Sequence, residues 1–380
     1  MLVDTNFAAA PIRRALQNAG FQVFTVGARE QDPLALAGDG YYKLDYADIA
    51  ALEALTRTLG IDLIVPGCND LSYAVCSTLA QRMNFPGLET PEKVAALHSK
   101  ELFRDLCYSL SIPAPERYAT VAAAVHSGKR VIVKPTDAYS GRGIEVVERP
   151  SANKLEGAIA RSKKHSRTNT AILEEFVEGD LFSYSAFMHE GRVVCAFHVA
   201  EFGSVNPFVV DTSYMIPAPK MAPELKQITE SISQQLGIGA GLMHLQYIAT
   251  EDSFWIIEPT RRCPGDLYSR LIELSTGYPY AEAYVSTFLG GRPPRADRLT
   301  AHNIIRHTVT TNESGVLESF AINTDAAIIA WTPLATVGEE LAPSPKGRVG
   351  VAFFAVNNAA ERDALVQNLL AGKVFTLSYS

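Results

Sequence analysis

Apolar and polar residues alternate along the first 95 residues in two different periods. Ile12, Leu16 and Ala19 recur at helical spacing and Gly20 follows them, which predicts a helix that ends there. Continuous apolar runs follow such segments and indicate buried strands. On these patterns we expect helices over residues 9–19, 49–59 and 70–82, and strands over residues 21–26 and 61–65. Strands that alternate with helices are typical of a parallel sheet, so this part is predicted to be an α/β domain.

Two turns at the carboxyl ends of predicted strands carry polar residues. The turn over residues 4–11 lacks the GxGxxG pattern, which argues against an NAD(P)-dependent oxidoreductase. Asn69 and Asp70 follow the strand over residues 61–65, at the edge where parallel sheets bind ligands. We interpret Asp70 as the cap of the next helix in preference to a ligand-binding residue.

A second helical unit is predicted to begin at Pro91, because proline favours the first turn of a helix. Ser99 is predicted to cap the helix after it. Lys100 lies in the first turn of that helix, where the helix dipole disfavours a positive charge. It is either a tolerated surface lysine or a partner for a bound phosphate group.

The segment from Val131 to Val147 has the pattern of a strand, a loop of small residues and a second strand. β-branched residues precede Lys134, and the loop contains Gly141 and Gly143. A lysine at a strand end beside such a loop can bind polyphosphate through its charge and through the loop amides. A Walker A loop has a different order, since its lysine follows the glycines. A plain hairpin with a solvated lysine is the alternative.

A further apolar strand over residues 171–177 runs into a group of acidic residues. Main-chain N–H and C=O groups from Glu174 to Val177 are suited to the edge of an adenine base, and Glu178 is suited to a ribose hydroxyl. A charged strand end that leads into a turn is the alternative interpretation.

Residues 241–260 form a predicted hairpin with one oxygen donor on each strand. These donors are Gln246 and Glu258, and two oxygen ligands on adjacent strands can share a Mg²⁺ whose other positions go to water and phosphate. Arg261 and Arg262 follow directly. An arginine at this place can stabilise the charge of a transferring phosphoryl group.

Composition adds limits on compartment and partners. The 380 residues are 47% hydrophobic and 20% charged, and the net charge of −7 argues against nucleic acid as a partner. Five cysteines without a CxxC pair fit a reducing cytosol. No segment has the roughly 18 apolar residues of a membrane span. The first residues lack the pattern of a signal peptide, so we expect a cytoplasmic protein that does not enter a membrane.

The order of the lysine hairpin, the acidic strand end and the two-donor hairpin resembles the ATP-grasp superfamily of ATP-dependent carboxylate ligases. Biotin carboxylase, carbamoyl phosphate synthetase and glycinamide ribonucleotide synthetase are members of it. The resemblance implies a parallel-sheet α/β domain over residues 1–90, an ATP-grasp domain over 91–295 and a small C-terminal α+β domain over 296–380. It also implies that ATP lies between two antiparallel sheets, one of them in a small subdomain at about 115–178.

The resemblance further assigns residues to roles by their position in the family motifs. Lys100 and Lys134 are implied to contact the phosphates, and Arg262 is implied to act with Lys134 in catalysis. The implied glycine-rich lid is Ser140, Gly141, Arg142 and Gly143. The implied adenine hinge is Glu174, Glu175, Phe176 and Val177, followed by Glu178 at the ribose. The implied metal ligands are Gln246, Glu258 and Thr260, where the family commonly has glutamate in the first position and asparagine in the third.

The implied activity is activation of a substrate carboxylate by ATP as an acyl phosphate, followed by attack of an amine. The implied cofactors are ATP and Mg²⁺, with Mn²⁺ as the alternative ion, and a homodimer is an implied assembly. The candidates for contacts with the small-molecule substrates are Arg261, Asp266, Ser269 and Asp211. A ligase for a thiol or another nucleophile and a non-catalytic ATP-binding sensor remain as alternatives.

Overall fold

The computed structural model of the protein describes residues 1–138, 141–296, 299–344 and 346–380. Ser140, which the resemblance assigns to the lid, lies outside the described residues. Within these ranges, no helix combines the length and the apolar composition that a membrane crossing requires.

The elements of the described ranges follow one another in a mixed order of helices and strands. The helices are α1 (Ala10–Asn18), α2 (Pro33–Leu36), α3 (Ile49–Thr58), α4 (Asp70–Met83), α5 (Pro91–His98), α6 (Lys100–Ser109), α7 (Val121–His126), α8 (Ala152–Lys163), α9 (Ala222–Leu236), α10 (Tyr268–Thr276), α11 (Tyr280–Phe288) and α12 (Ala359–Leu370). The strands are β1 (Leu2–Val3), β2 (Thr25–Gly27), β3 (Tyr41–Lys43), β4 (Val65–Pro66), β5 (Arg117–Tyr118), β6 (Val131–Pro135), β7 (Glu145–Val147), β8 (Ala171–Glu175), β9 (Asp180–His189), β10 (Arg192–Phe202), β11 (Thr212–Ile216), β12 (Gly241–Ala249), β13 (Phe254–Thr260), β14 (Asn303–Thr310), β15 (Gly315–Ile322), β16 (Ala327–Pro333), β17 (Glu340–Leu341), β18 (Arg348–Val356) and β19 (Phe375–Tyr379).

The N-terminal sheet is parallel and has the strand order β3-β2-β1-β4. The predicted parallel α/β arrangement is therefore confirmed. The strands are shorter than the apolar runs that predicted them. Of the run over 21–26, only Thr25 and Val26 are strand residues, and the strand continues to Gly27. Gly20 follows α1 with a φ of 88°, and Phe21 after it remains 38% exposed.

The cap of α4 differs from the prediction. Asn69 caps this helix, because its side-chain oxygen accepts a hydrogen bond from the Ser72 amide at 2.8 Å. The prediction that Asp70 is the cap is wrong, and its carboxylate has other partners, described below. The predicted starts of α5 at Pro91 and of α6 after Ser99 are confirmed.

The lysine hairpin belongs to a four-stranded sheet with the order β5-β8-β6-β7, in which neighbouring strands are antiparallel. Val131 pairs with Val147, as the strand–loop–strand pattern predicted. β8 lies at the other side of β6, so the acidic strand end and Lys134 are carried by adjacent strands. This sheet forms one wall of the cavity described below.

A larger sheet forms the opposite wall. Its eight strands have the order β13-β12-β9-β10-β11-β14-β18-β16 and pair antiparallel. The last three strands lie beyond Pro293–Pro294, so the C-terminal segment extends the large sheet and also forms a separate sheet, β17-β15-β19. The predicted fold class is confirmed, while the three domain ranges stay predictions.

One face of the large sheet changes from apolar to polar along its strands. Phe187, Phe197 and Leu242 on this face are buried in the same core cluster as the aromatic side chains of α10 and α11. Further along the same face lie Glu201 on β10 and Gln246 on β12. Glu201 is four residues after Phe197 and Gln246 is four residues after Leu242, and an even spacing along a strand places side chains on the same side. The core thus supports a polar floor.

Candidate active site

A cavity of about 1010 Å³ lies between the four-stranded sheet and the polar floor of the large sheet. Its size is sufficient for a nucleotide together with a small substrate. Most of the residues that the resemblance assigns to roles line it. They are Lys100, Lys134, Gly141, Arg142, Glu175, Phe176, Val177, Glu178, Gln246, Glu258, Thr260, Arg262 and Asp266.

Lys134 is held by a buried carboxylate. Its ammonium group donates to Glu174 at 2.8 Å, and Arg104 from α6 forms an ion pair with the other oxygen of Glu174 at 2.6 Å. Burial raises the pKa of Glu174, but the charges of Lys134 and Arg104 outweigh burial and the pKa is lowered. Glu174 is fully buried and does not line the cavity itself, and its carboxylate orients the lysine. Arg104 also donates to the carbonyl of Ile257, beside Glu258, at 2.8 Å.

The glycine-rich loop needs both of its glycines. Gly141 and Gly143 have φ values of 67° and 72°, which side chains disfavour. A Cβ atom on Gly141 would come within 2.9 Å of Phe208, and one on Gly143 within 2.7 Å of His165. Lys100 reaches the same loop, since its ammonium group donates to the Ala138 carbonyl at 3.2 Å. Gly143 supports the loop without lining the cavity.

The hinge after β8 has some of its main-chain groups already bonded. The Glu175 amide donates to the Glu116 carbonyl at 2.8 Å, and the Phe176 amide donates to the Arg130 carbonyl at 2.9 Å. A donor to a base edge at this hinge would therefore come after Phe176. The Arg130 guanidinium also lies over the Phe176 ring at 4.3 Å and forms an ion pair with Glu178. Arg130 directly precedes β6, so these contacts connect the hinge to the start of that strand.

The first two predicted metal ligands lie opposite each other on adjacent strands. Gln246 on β12 and Glu258 on β13 are directly paired across the hairpin. The Gln246 amide nitrogen donates to Glu201 of β10 at 2.7 Å. Burial raises the pKa of Glu201, although hydrogen bonds from Ser183 and Gln246 and the charge of Arg306 oppose burial.

This donor set fits Mg²⁺. That ion is commonly held by one or two carboxylates, with water and substrate phosphates in its other positions. A dedicated cluster is not needed for such a site, and the described ranges contain no group of three or more His, Cys, Asp or Glu side chains arranged for a metal. The hydroxyl of Thr260, the third assigned position, instead donates to Asp70 at 3.1 Å.

Arg262 lines the cavity in a bidentate ion pair with Asp70. Its Nε and Nη2 atoms donate to the two carboxylate oxygens at 3.1 and 3.2 Å. Burial raises the pKa of Asp70, but the charges of Arg262 and His98 and the hydrogen bonds from Arg262 and Thr260 together outweigh burial, and the pKa falls to about 2. The start of α4 in the N-terminal sheet domain thereby fixes the arginine at the end of β13.

Arg261 points to the other side of the chain. It is 2% exposed, pairs with Glu89 and donates to the carbonyls of Leu242 and Ala240. Adjacent side chains of an extended segment point to opposite sides, so Arg261 is expected to point away from the cavity that Arg262 lines. Arg261 does not line the cavity, so its contacts are structural.

Two arginines from the C-terminal strands, Arg306 and Arg348, also line the cavity. Arg348 donates to the Asp266 carboxylate at 3.1 Å, and Arg306 lies 3.8 Å from its other oxygen. The other two substrate candidates are placed elsewhere. Ser269 is buried in α10, and Asp211 accepts hydrogen bonds from the amide and the hydroxyl of Ser204 within the adjoining loop.

Five charged residues of the site were not predicted to line it. They are Asp70, Arg104, Glu201, Arg306 and Arg348. Each lies on a segment far along the chain from its partner, outside the motifs that carried the resemblance. Only Asp70 had a pointer, its place at the carboxyl end of a strand.

Comparison with known proteins agrees with this geometry. Residues 127–268 match the family model described as an ATP-grasp domain, and the chain therefore contains an ATP-grasp domain. This range begins before β6 and ends at the start of α10. The resemblance to the ATP-grasp superfamily is confirmed.

Two curated relatives align with different extents of the chain. The carbamoyl phosphate synthase large chain of Mycobacterium tuberculosis is 24% identical over 217 residues, which cover 53% of this chain and 18% of the relative. The chain thus spans less than a fifth of that protein's length. The formate-dependent phosphoribosylglycinamide formyltransferase of Synechococcus elongatus is 25% identical over 374 residues, which cover 93% of this chain and 91% of the relative.

Solved structures show the same fold over the full length. The L-amino acid ligase from Bacillus licheniformis has a TM-score of 0.79 at 17% identity and covers 100% of this chain and 98% of its own. The biotin carboxylase domain of the Hydrogenobacter thermophilus 2-oxoglutarate carboxylase has a TM-score of 0.77 at 14% identity, with coverage of 100% and 90%. That structure is a complex with MgADP, ADP and bicarbonate.

Proposed function

We propose that the protein is an ATP-dependent ligase that activates a substrate carboxylate as an acyl phosphate and transfers the acyl group to an amine. The observation that carries this proposal is the convergence of Lys134, the Gln246–Glu258 pair and Arg262 on one cavity. These residues come from separate segments, and each is suited to a different part of a Mg-ATP complex. A nucleotide sensor would have no need of an arginine at the transferring group.

The chain's own residues would bind and orient the reactants. Lys100 and Lys134 would neutralise phosphate charge, and Gln246 and Glu258 would hold Mg²⁺, which screens the phosphate oxygens when it is bound. Arg262 would stabilise the γ-phosphoryl group as it moves from ATP to the carboxylate oxygen, with ADP as the leaving group. The amine would then attack the acyl carbon, and inorganic phosphate would leave.

The substrate carboxylate is proposed to bind beside Arg306 and Arg348 in the same cavity. Arg306 and Arg348 lie there, and a guanidinium group matches a carboxylate in two parallel hydrogen bonds. Asp266 occupies both arginines in this structure. A substrate carboxylate would compete with it, and Asp266 would then be available to an amino group.

The test is a screen for ADP release over pairs of carboxylates and amines, with product masses determined in parallel. We expect one pair to stimulate ADP release and to yield a product with the mass of the condensed pair. Stimulation by a thiol in place of an amine would change the nucleophile class. ATP binding without ADP release for any pair would favour the sensor and contradict the proposal.

A further inference from the structure

The side-chain amide of Gln246 forms a hydrogen bond with an acidic residue other than Glu258. Its amide nitrogen donates to Glu201 at 2.7 Å, and Glu201 is 5% exposed. The two residues come from strands β10 and β12, which are separated by β9 in the sheet. Both side chains line the cavity, on the floor that also carries Glu258.

A glutamine ligand has a problem of orientation that a glutamate ligand does not have. One end of its amide is an oxygen acceptor and the other is a nitrogen donor, and only the oxygen can bind a cation. A carboxylate accepts hydrogen bonds and does not donate them when it is ionised. The Glu201 contact therefore keeps the nitrogen end away from the cation and leaves the oxygen end for it.

We propose that Glu201 is a positioning residue that orients the Gln246 amide so that its oxygen faces the metal ion shared with Glu258. This inference rests on the proposed function, because it needs the metal site described there. It also accounts for the charge at the site. The negative charge that a glutamate in position 246 would carry is retained in Glu201, one hydrogen bond further from the cation.

The test exchanges glutamate and glutamine between positions 201 and 246 in the full chain. Glu201→Gln removes the negative charge and introduces a donor that can bond the Gln246 oxygen. We expect the affinity for Mn²⁺, measured by electron paramagnetic resonance in the presence of ADP, to fall about 10- to 100-fold, as other partners of metal ligands do. The double variant E201Q/Q246E restores a donor–acceptor pair with the carboxylate at the ligand, and we expect it to recover most of the affinity.

Two controls separate positioning from damage to the fold. Glu230→Gln removes a carboxylate that bonds the Val193 amide on β10, far from the cavity, and should leave Mn²⁺ affinity unchanged. ADP affinity without metal, measured by calorimetry, should be similar in E201Q and the wild type. Loss of metal-free ADP binding in E201Q, or failure of the double variant to recover Mn²⁺ affinity, would show a structural role for Glu201 and overturn the inference.

The outcomes also distinguish this inference from the proposed function. If the wild type binds Mn²⁺ with ADP and E201Q binds it equally well, Glu201 does not position the ligand and only this inference fails. If the wild type binds ADP and no Mn²⁺, the metal assignment of the proposed function fails, and this inference fails with it.

Discussion

Single side chains around the cavity are oriented by ion pairs that are partly or fully buried. Glu174 lies between Lys134 and Arg104, and Asp70 holds Arg262 in two hydrogen bonds. Compared with apolar side chains of similar volume, such pairs add little net stability, because removing charges from water costs about as much as the attraction returns, although removing only one partner is destabilising. Their effect here is geometric, since each leaves a cation directed into the cavity. Two predictions concern these cations.

Lys134→Ala is expected to weaken ATP binding about 10- to 100-fold, because charged hydrogen bonds to phosphate contribute about 1.5–3 kcal/mol. The fold should persist, since Arg104 still pairs with Glu174. Isothermal calorimetry with ATP measures the change. Lys154→Ala, which alters an exposed lysine on α8 of the same subdomain, is the control and should have no effect. Unchanged ATP affinity in Lys134→Ala would remove the lysine from the nucleotide site.

Arg262→Ala is expected to lower kcat about a thousandfold, as loss of an arginine at a transferring phosphoryl group does. The KM for ATP should change far less, because the interaction is strongest in the transition state. Asp70→Asn breaks the same ion pair and keeps the arginine, so it should lower kcat much less than Arg262→Ala does. Steady-state kinetics on the activating substrate pair gives both constants. A change confined to KM would show that Arg262 only binds ATP.

At the scale of elements, the end of β13 joins the large sheet to the N-terminal part of the chain. Thr260 and Arg262 bond Asp70 of α4 on one side, and Arg261 bonds Glu89 on the other. The strand end is therefore held from two directions, and Arg262 is fixed by helix α4 of the N-terminal part of the chain.

The Asp70 contact predicts a defined dependence of stability on pH. The pKa of Asp70 is lowered from 3.8 to about 2, so its ion pair stabilises the folded protein above the unfolded pKa and is lost as the pH falls through about 2. We expect Asp70→Asn to lower the Tm by a constant amount between about pH 5 and 8, and the difference from wild type to shrink below about pH 4. A Tm difference that grows on acidification would contradict this linkage.

The elements themselves were predictable where the local pattern was strong. The hairpins β6–β7 and β12–β13 have alternating or apolar strands and turn residues, and the structure has both. The N-terminal strands were overestimated, because an apolar run fills the core next to a strand as readily as it forms the strand. The Asp70 cap was wrong because Asn69 is an equally good cap one residue earlier.

The partners of the site residues were not predictable in the same way. The hairpin alone identified Gln246 and Glu258, but the contact with Glu201 depends on the order of strands in the sheet. Arg261 was expected to contact the acceptor substrate, and the structure buries it against Glu89. Hydrogen-bond partners from distant segments have no local signature in one sequence.

At the scale of the whole molecule, the cavity is built from every part of the chain. Helix α4 of the N-terminal part contributes Asp70, the four-stranded sheet contributes Lys134, and the large sheet contributes Glu258 together with Arg306 and Arg348 on its C-terminal strands. In the proposed function, Lys134, Glu258 and Arg262 would bind the phosphates of ATP and its metal ion, and Arg306 and Arg348 would bind a carboxylate. The two reactants would therefore meet beside Arg262, away from bulk water that would otherwise hydrolyse an acyl phosphate.

The most direct test of the ligase proposal is the identity of the nucleotide product. In the proposed site, Gln246 and Glu258 would hold Mg²⁺ at the phosphates and Arg262 would stabilise the γ-phosphoryl group, so the carboxylate would be activated by phosphoryl transfer. Phosphorus NMR of a turnover reaction with the stimulating substrate pair should show ADP and inorganic phosphate in equal amounts, one of each per condensed product. Stoichiometric AMP and pyrophosphate would mean that the carboxylate attacks the α-phosphorus and would contradict the account.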